Sequence, residues 1–209
     1  MSSLKSTYYY PNRMGRIILL AMEEIIGREG VNTTLKSASL SSLVDNYPPD
    51  NLERQFSFDM VSRIQSSLEQ AYGQRGGHGL ALCTGRACFK YGLREFGFSI
   101  GSTEAAFKLL PLSRKLHIGG MALADIFNRY SDQQVRIDDD PEHIYWHTER
   151  CPVCWKRQAN EPICHLAVGF LHESLYWVSG GKQFNVVETQ CIARGDHTCT
   201  IVIDKTPMD

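Results

Sequence analysis

Apolar positions recur at helical spacing through the first two-thirds of the chain and at strand spacing towards its end. Met14–Glu29 sets Ile17, Leu20, Met22, Ile25 and Ile26 at recurrent helical intervals, with Gly30 as the expected stop. Thr33–Val44 is a weaker helical stretch, closed by the break Tyr47-Pro48-Pro49-Asp50. Phe56–Tyr72 carries Phe56, Met60, Ile64 and Leu68 every four residues between polar flanks, a narrow apolar stripe. Gly76-Gly77-His78-Gly79 then predicts a turn. Leu80–Gly97, with Arg86, Lys90 and Arg94 at four-residue intervals, predicts a helix with one basic face. Glu104–Tyr130 predicts another, interrupted at Pro111 and at Gly119-Gly120.

Beyond Tyr130 the pattern changes. Gln134–Asp138 and His143–Thr148 are short branched or aromatic runs around Asp139-Asp140-Pro141, the signature of a hairpin. Ile163–Val178 returns to helix and stops at Gly180-Gly181. Phe184–Thr189 and Cys199–Asp204 alternate as two further strands joined at Arg194-Gly195-Asp196. The expected fold is α+β: N-terminal helices, then an antiparallel sheet with a packed C-terminal helix, in a β-β-α-β-β ending. Residues 1–70 are expected to form a helical extension suited to dimerisation, and residues 71–209 the functional domain.

Composition narrows the classes of function. The chain has 209 residues, 43% of them hydrophobic, and 22 Lys and Arg against 23 Asp and Glu. That balance argues against direct nucleic-acid contact and against a polybasic membrane patch. MSSLKSTYYYPNRMGR lacks the apolar core of an export signal, and no window approaches the ~18 apolar residues of a membrane span. A cytoplasmic protein is expected, in which thiols stay reduced. Five of the seven cysteines (Cys151, Cys154, Cys164, Cys191 and Cys199) fall near the end, leaving only Cys83 and Cys88 upstream.

The densest chemistry lies in Glu188-Thr-Gln-Cys191-Ile-Ala-Arg-Gly195-Asp196-His-Thr-Cys199. Zinc takes thiolate, imidazole and carboxylate ligands, and its structural sites are closed and four-coordinate. Glu188 ends a strand, Cys191 lies just past it, and Cys199 opens the returning strand, so three ligands converge from one hairpin. Cys164, at the start of the packed helix, is the natural fourth; Glu161 and His165 are substitutes. Cys151-Pro-Val-Cys154 leaves three readings open: alternative zinc ligands, a redox dithiol, or structural thiols.

These residues carry a resemblance. Glu188-x-x-Cys191-x-x-x-Gly195-x-x-x-Cys199, with Cys164-His-Leu-Ala-Val-Gly169-Phe170 and Gly85-Arg86-Ala87-Cys88-Phe89-x-Tyr91-Gly92 upstream, resembles the vinyl-reductase-type domain family over Tyr72 to Asp204. Its members include proteins linked to 4-vinyl reduction in bacteriochlorophyll biosynthesis, archaeal hydrocarbon-binding proteins, and the sensor domains of phenol- and xylene-responsive activators. The resemblance implies a fold similar to that of vesicle-tethering subunits that hold an acyl chain. It also implies a zinc ion on Cys164, Glu188, Cys191 and Cys199.

The function expected on this basis is a carrier or sensor of a small hydrophobic molecule (aromatic, isoprenoid or tetrapyrrole), acting as a homodimer with a structural zinc. Candidate pocket residues are Phe89, Tyr91, Phe107, Trp146, Phe170, Tyr176 and Trp177, with His117, His147, His165 or His172 supplying a polar group or an axial ligand to a tetrapyrrole metal. Two alternatives stand beside it. One is an enzyme or accessory factor in vinyl reduction, against which the chain offers no dinucleotide fingerprint. The other is a thiol-redox protein using Cys151 and Cys154.

Overall fold

The computed structural model describes residues 8–96, 107 and 109–208. Two long helices dominate the first half: α1 (Asn12–Ser37) and α2 (Phe58–Glu95). Each is introduced by a short strand, β1 (Tyr9–Pro11) and β2 (Arg54–Ser57), and these two pair antiparallel with Tyr10 opposite Phe56. Pattern reading misses this small sheet because three- and four-residue strands show too few alternations. Ser57 caps α2, its hydroxyl accepting from the Met60 amide at 3.2 Å.

Both long helices bend at a glycine, though not at the ones the sequence singled out. The break in α1 is at Gly27 (φ 71°, ψ 164°) rather than at Gly30, and the helix resumes to Ser37. The break in α2 is at Gly73 (φ 72°, ψ 164°), while Gly76-Gly77-His78-Gly79 is helical. That region of φ/ψ belongs almost wholly to glycine. Gly77 serves close packing instead: a Cβ there would stand 2.6 Å from the Glu69 Cα on the other side of the bend. The apolar stripes are spent inside the chain. Ile17, Met22, Ile64 and Leu68 are buried in one core. Residue 70 lies within α2, and residues on both sides of it share that core.

Helix α3 (Leu112–Tyr130) starts directly after Pro111, as the sequence indicates, but runs unbroken through Gly119-Gly120. Gly119 lets the helix approach Val178, where a Cβ would meet Cγ2 at 2.9 Å. Four strands follow around one helix: β3 (Val135–Asp139), β4 (His143–Thr148), α4 (His165–Ser179), β5 (Gln183–Gln190) and β6 (Cys199–Met208). The sheet is antiparallel throughout in the order β3-β4-β6-β5. The fold is therefore α+β with the expected β-β-α-β-β ending. Gly180 closes α4 in the left-handed conformation (φ 78°). A second core of Trp146, Val168, Leu171, Leu175, Phe184 and Ile201 fills the space between sheet and helices.

Candidate metal centre and the adjoining cavity

The crossing of α2 over α4 positions everything that follows. A Cβ on Gly85 would sit 2.1 Å from the Leu166 carbonyl oxygen, and one on Gly169 would sit 2.0 Å from the Leu82 carbonyl oxygen. The two glycines thus allow backbone-to-backbone contact in both directions. The basic face of α2 finds its partner across this crossing, where Arg86 and Lys90 reach Glu173 at 2.9 and 3.8 Å.

At the N-terminal end of α4, five sulfurs gather. Cys164 precedes the first helical residue, Cys191 follows β5, Cys199 opens β6, and Cys151 and Cys154 lie in the loop after β4. All five are buried and none is in a disulfide. Sγ–Sγ separations are 3.5 Å for Cys151–Cys164, 3.4 Å for Cys154–Cys199, 3.7 Å for Cys164–Cys199, 3.8 Å for Cys164–Cys191 and 4.0 Å for Cys191–Cys199. A disulfide needs about 2.05 Å. Four sulfurs at ~2.3 Å around a tetrahedral zinc stand ~3.8 Å apart, the spacing seen here.

Two overlapping quartets have all their donor atoms within 4.8 Å of one another: Cys151, Cys154, Cys164 and Cys199, and Cys164, Glu188, Cys191 and Cys199. The second is the set that the sequence motif suggested, and the first brings in the C-x-x-C pair as well. Glu161 and His165 belong to neither: Glu161 bonds Gln74, and the His165 ring lies 4.0 Å from that of His78.

Local backbone geometry explains the convergence. Gly195 (φ 101°) turns the chain, and Asp196 Oδ2 accepts from the Cys191 amide at 2.8 Å, holding the loop closed. Glu188 Oε2 accepts from the Cys164 amide at 2.7 Å, while Oε1 is buried without a hydrogen-bond partner. Burial, and after it the Cys191 charge, raises the Glu188 carboxyl to about 8. Thiol donors, Cys154 foremost, hold Cys151 well below the usual thiol range, whereas burial pushes Cys164 well above it. A bound cation would favour the thiolate form of all five together. Cys151 and Cys154 are 4% and 1% exposed, a poor setting for exchange with an external thiol.

An apolar cavity of about 100 Å³ adjoins the cluster. Tyr10, Met14, Ile17 and Ile18 form one wall, Cys88 and Phe89 of α2 another, Leu123 and Phe127 of α3 a third, and Leu166, Phe170 and Leu171 of α4 a fourth. Trp146 of β4 and the loop Cys151-Pro152-Val153 complete it, so Cys151 faces both cavity and thiols. The rings meet edge to face: Phe89 on Phe170 (5.5 Å, 75°), Phe127 on Phe170 (5.5 Å, 69°) and Phe127 on Trp146 (6.0 Å, 87°). The polar atoms of the lining are mostly engaged with one another. The Tyr10 hydroxyl donates to Gln133 Oε1, and Trp146 Nε1 donates to Thr148 Oγ1 at 3.1 Å. A smaller void of about 20 Å³ lies behind Leu123, Trp146 and Leu171.

Of the expected pocket residues, Phe89, Trp146 and Phe170 line the cavity; Tyr91, Phe107, Tyr176 and Trp177 do not. Tyr91 is half-buried beside Arg94, and Tyr176 and Trp177 are 40% and 41% exposed near the end of α4. The four histidines also lie elsewhere: His117 pairs with Asp139, His147 with Thr200 and Asp138, His165 stacks on His78, and His172 is half-buried near Arg86. Sequence reasoning missed the N-terminal wall and Phe127, whose apolar spacing is that of any core helix.

No protein-family model and no curated protein matches the chain. Solved structures do. An H-NOX family protein studied for heme distortion superposes with a TM-score of 0.60 at 13% identity, over 95% of this chain and 97% of that one. An H-NOX protein from K. algicida gives 0.58 at 9% identity, again over 95% and 97%. The phenol-responsive sensory domain of the transcription activator PoxR, bound to phenol, gives 0.51 at 17% identity, over 73% and 77%. The chain therefore has the fold shared by H-NOX proteins and the PoxR sensory domain.

Proposed function

We propose that this protein binds a small apolar molecule about the size of one aromatic ring, as a sensor or carrier, beside a structural zinc site. The observation that carries the reading is the apolar cavity, whose wall at Cys151 is also a wall of the thiol cluster. Its volume of about 100 Å³ suits a single ring, given that an apolar cavity of about 150 Å³ accepts benzene. The edge-to-face aromatics offer a ring further edges and faces to pack on. Likeness in fold to a phenol-bound sensory domain supports the same size class.

The heme of the H-NOX comparison fits these residues poorly. Among the described residues no histidine lines the cavity, and the α2 thiol there, Cys88, is held protonated by burial. The volume is also well below the several hundred cubic ångströms usual for larger ligands. Thermal melting with phenol, toluene, a C16 fatty acid and hemin tests the reading. Phenol or toluene is expected to raise the melting temperature in proportion to ln(1 + [L]/Kd). Stabilisation by hemin alone, with a stoichiometric Soret shift, would reverse it.

A further inference from the structure

We propose that the thiol cluster is a binuclear metal centre, with Cys164 and Cys199 bridging two divalent cations. Cys151 and Cys154 complete the coordination of one ion, and Glu188 and Cys191 complete that of the other. The inference rests on the reading that the cluster holds metal at all, and extends it from one ion to two.

The donor count is the first reason. A single tetrahedral ion uses four donors, and six converge here, arranged as two quartets that share Cys164 and Cys199. The shared sulfurs are 3.7 Å apart, the edge along which two four-coordinate ions can sit on opposite sides. The terminal pairs are matched in sequence: Cys151-x-x-Cys154 on one flank and Glu188-x-x-Cys191 on the other.

The second reason is the state of the donors that one ion would leave over. With Cys151, Cys154, Cys164 and Cys199 on a first metal, Glu188 and Cys191 remain buried at 8% and 0% exposure. Glu188 Oε2 is pinned by the Cys164 amide, and this fixes the carboxylate while Oε1 has no partner. A buried acceptor without a partner is costly, and a cation is the partner a carboxylate oxygen takes most readily. Cys199 Sγ meanwhile accepts from the Ile192 amide at 3.3 Å, which fixes one of the two shared sulfurs in place.

Metal stoichiometry decides the matter. The reduced full-length protein is loaded with excess Zn2+, desalted, and its zinc counted by elemental analysis and by native mass spectrometry. Two zinc ions per chain are expected, falling to one in Glu188→Gln/Cys191→Ser and to one in Cys151→Ser/Cys154→Ser. Titration with Co2+ assigns the ions: thiolate-to-cobalt charge transfer should grow through two equivalents, with the electron paramagnetic resonance signal of the first weakened by coupling to the second. One ion per chain, or a second Co2+ without thiolate charge transfer, overturns the binuclear centre and leaves a mononuclear site standing. No bound metal removes both. Should the variants fail to fold, the count on the unaltered protein is still decisive.

Discussion

The thiol cluster and the cavity meet at Cys151, but the chain assembles them differently. The cluster draws its donors from the last third of the sequence, where a hairpin, a helix start and a short loop lie close together. The cavity draws on Tyr10 at one end and Leu171 at the other, and on every long helix between. The first is held by a few strong, directional donors, the second by many weak apolar contacts. Damage to the cluster should therefore be abrupt, and damage to the cavity graded.

Removing a shared donor is the harshest test of that contrast. Cys164→Ser takes a ligand from both quartets, and structural zinc sites supply ~10 kcal/mol or more of folding free energy. Loss of metal and of cooperative melting together is expected, since each kcal/mol is worth about 2–4 °C in a chain of this size. A variant that melted like the unaltered protein would show that the cluster does not hold the fold.

Leu123→Ala should act on the cavity alone. Leu123 is buried between the two voids, and truncation there costs about 2–5 kcal/mol while joining them. Calorimetry should then find room for larger apolar compounds, such as naphthalene, at unchanged metal content. Metal loss in this variant would mean that the two regions are not separable.

Gly169→Ala tests what they have in common. Its methyl group would meet the Leu82 carbonyl at 2.0 Å and force α4 away from α2. About 1–3 kcal/mol of destabilisation is expected, with weakening of both metal and ligand binding.

The smallest effect lies at the β3–β4 turn, remote from both regions. Hydrogen bonds from the Tyr145 hydroxyl, then from the His143 and Glu142 amides, hold the Asp140 carboxyl well below the usual range. Because the folded pKa is depressed, the contribution is complete above the unfolded value of ~3.9 and is lost as pH falls through the folded one. Asp140→Asn should lower the neutral-pH melting temperature slightly and flatten its decline below about pH 4. Both metal content and ligand affinity should stay put.

The same contrast decides how much could be read without coordinates. Glu188, Cys191, Cys199 and Gly195 declare themselves because a hairpin converts their spacing directly into proximity, and the structure gathers them as the motif implies. The strand pairs and α4 were legible for the same reason. Met14, Ile17 and Ile18 are ordinary members of an amphipathic stripe, and only tertiary packing turns part of that stripe towards a void. Glycines were misread in both directions. Gly30 and Gly119-Gly120 looked like breaks and lie within helices, since a glycine chosen for close approach and one chosen for a bend look alike in sequence. The Tyr176-Trp177 pair looked like a pocket wall and stands 40% or more exposed, because helical phase at the end of α4 turns it outwards.

The paired bends at Gly27 and Gly73 carry one more consequence. Both positions are exposed, and nothing stands within 4 Å of where a side chain would begin. Space is not what they ration; handedness is. An L-alanine at either position would meet no neighbour and still be forced into a conformation that its own chirality disfavours. In a mutational scan these two positions would stand out as intolerant, although they touch neither sulfur nor cavity. Their intolerance would report the mirror-image backbone that each helix needs in order to turn.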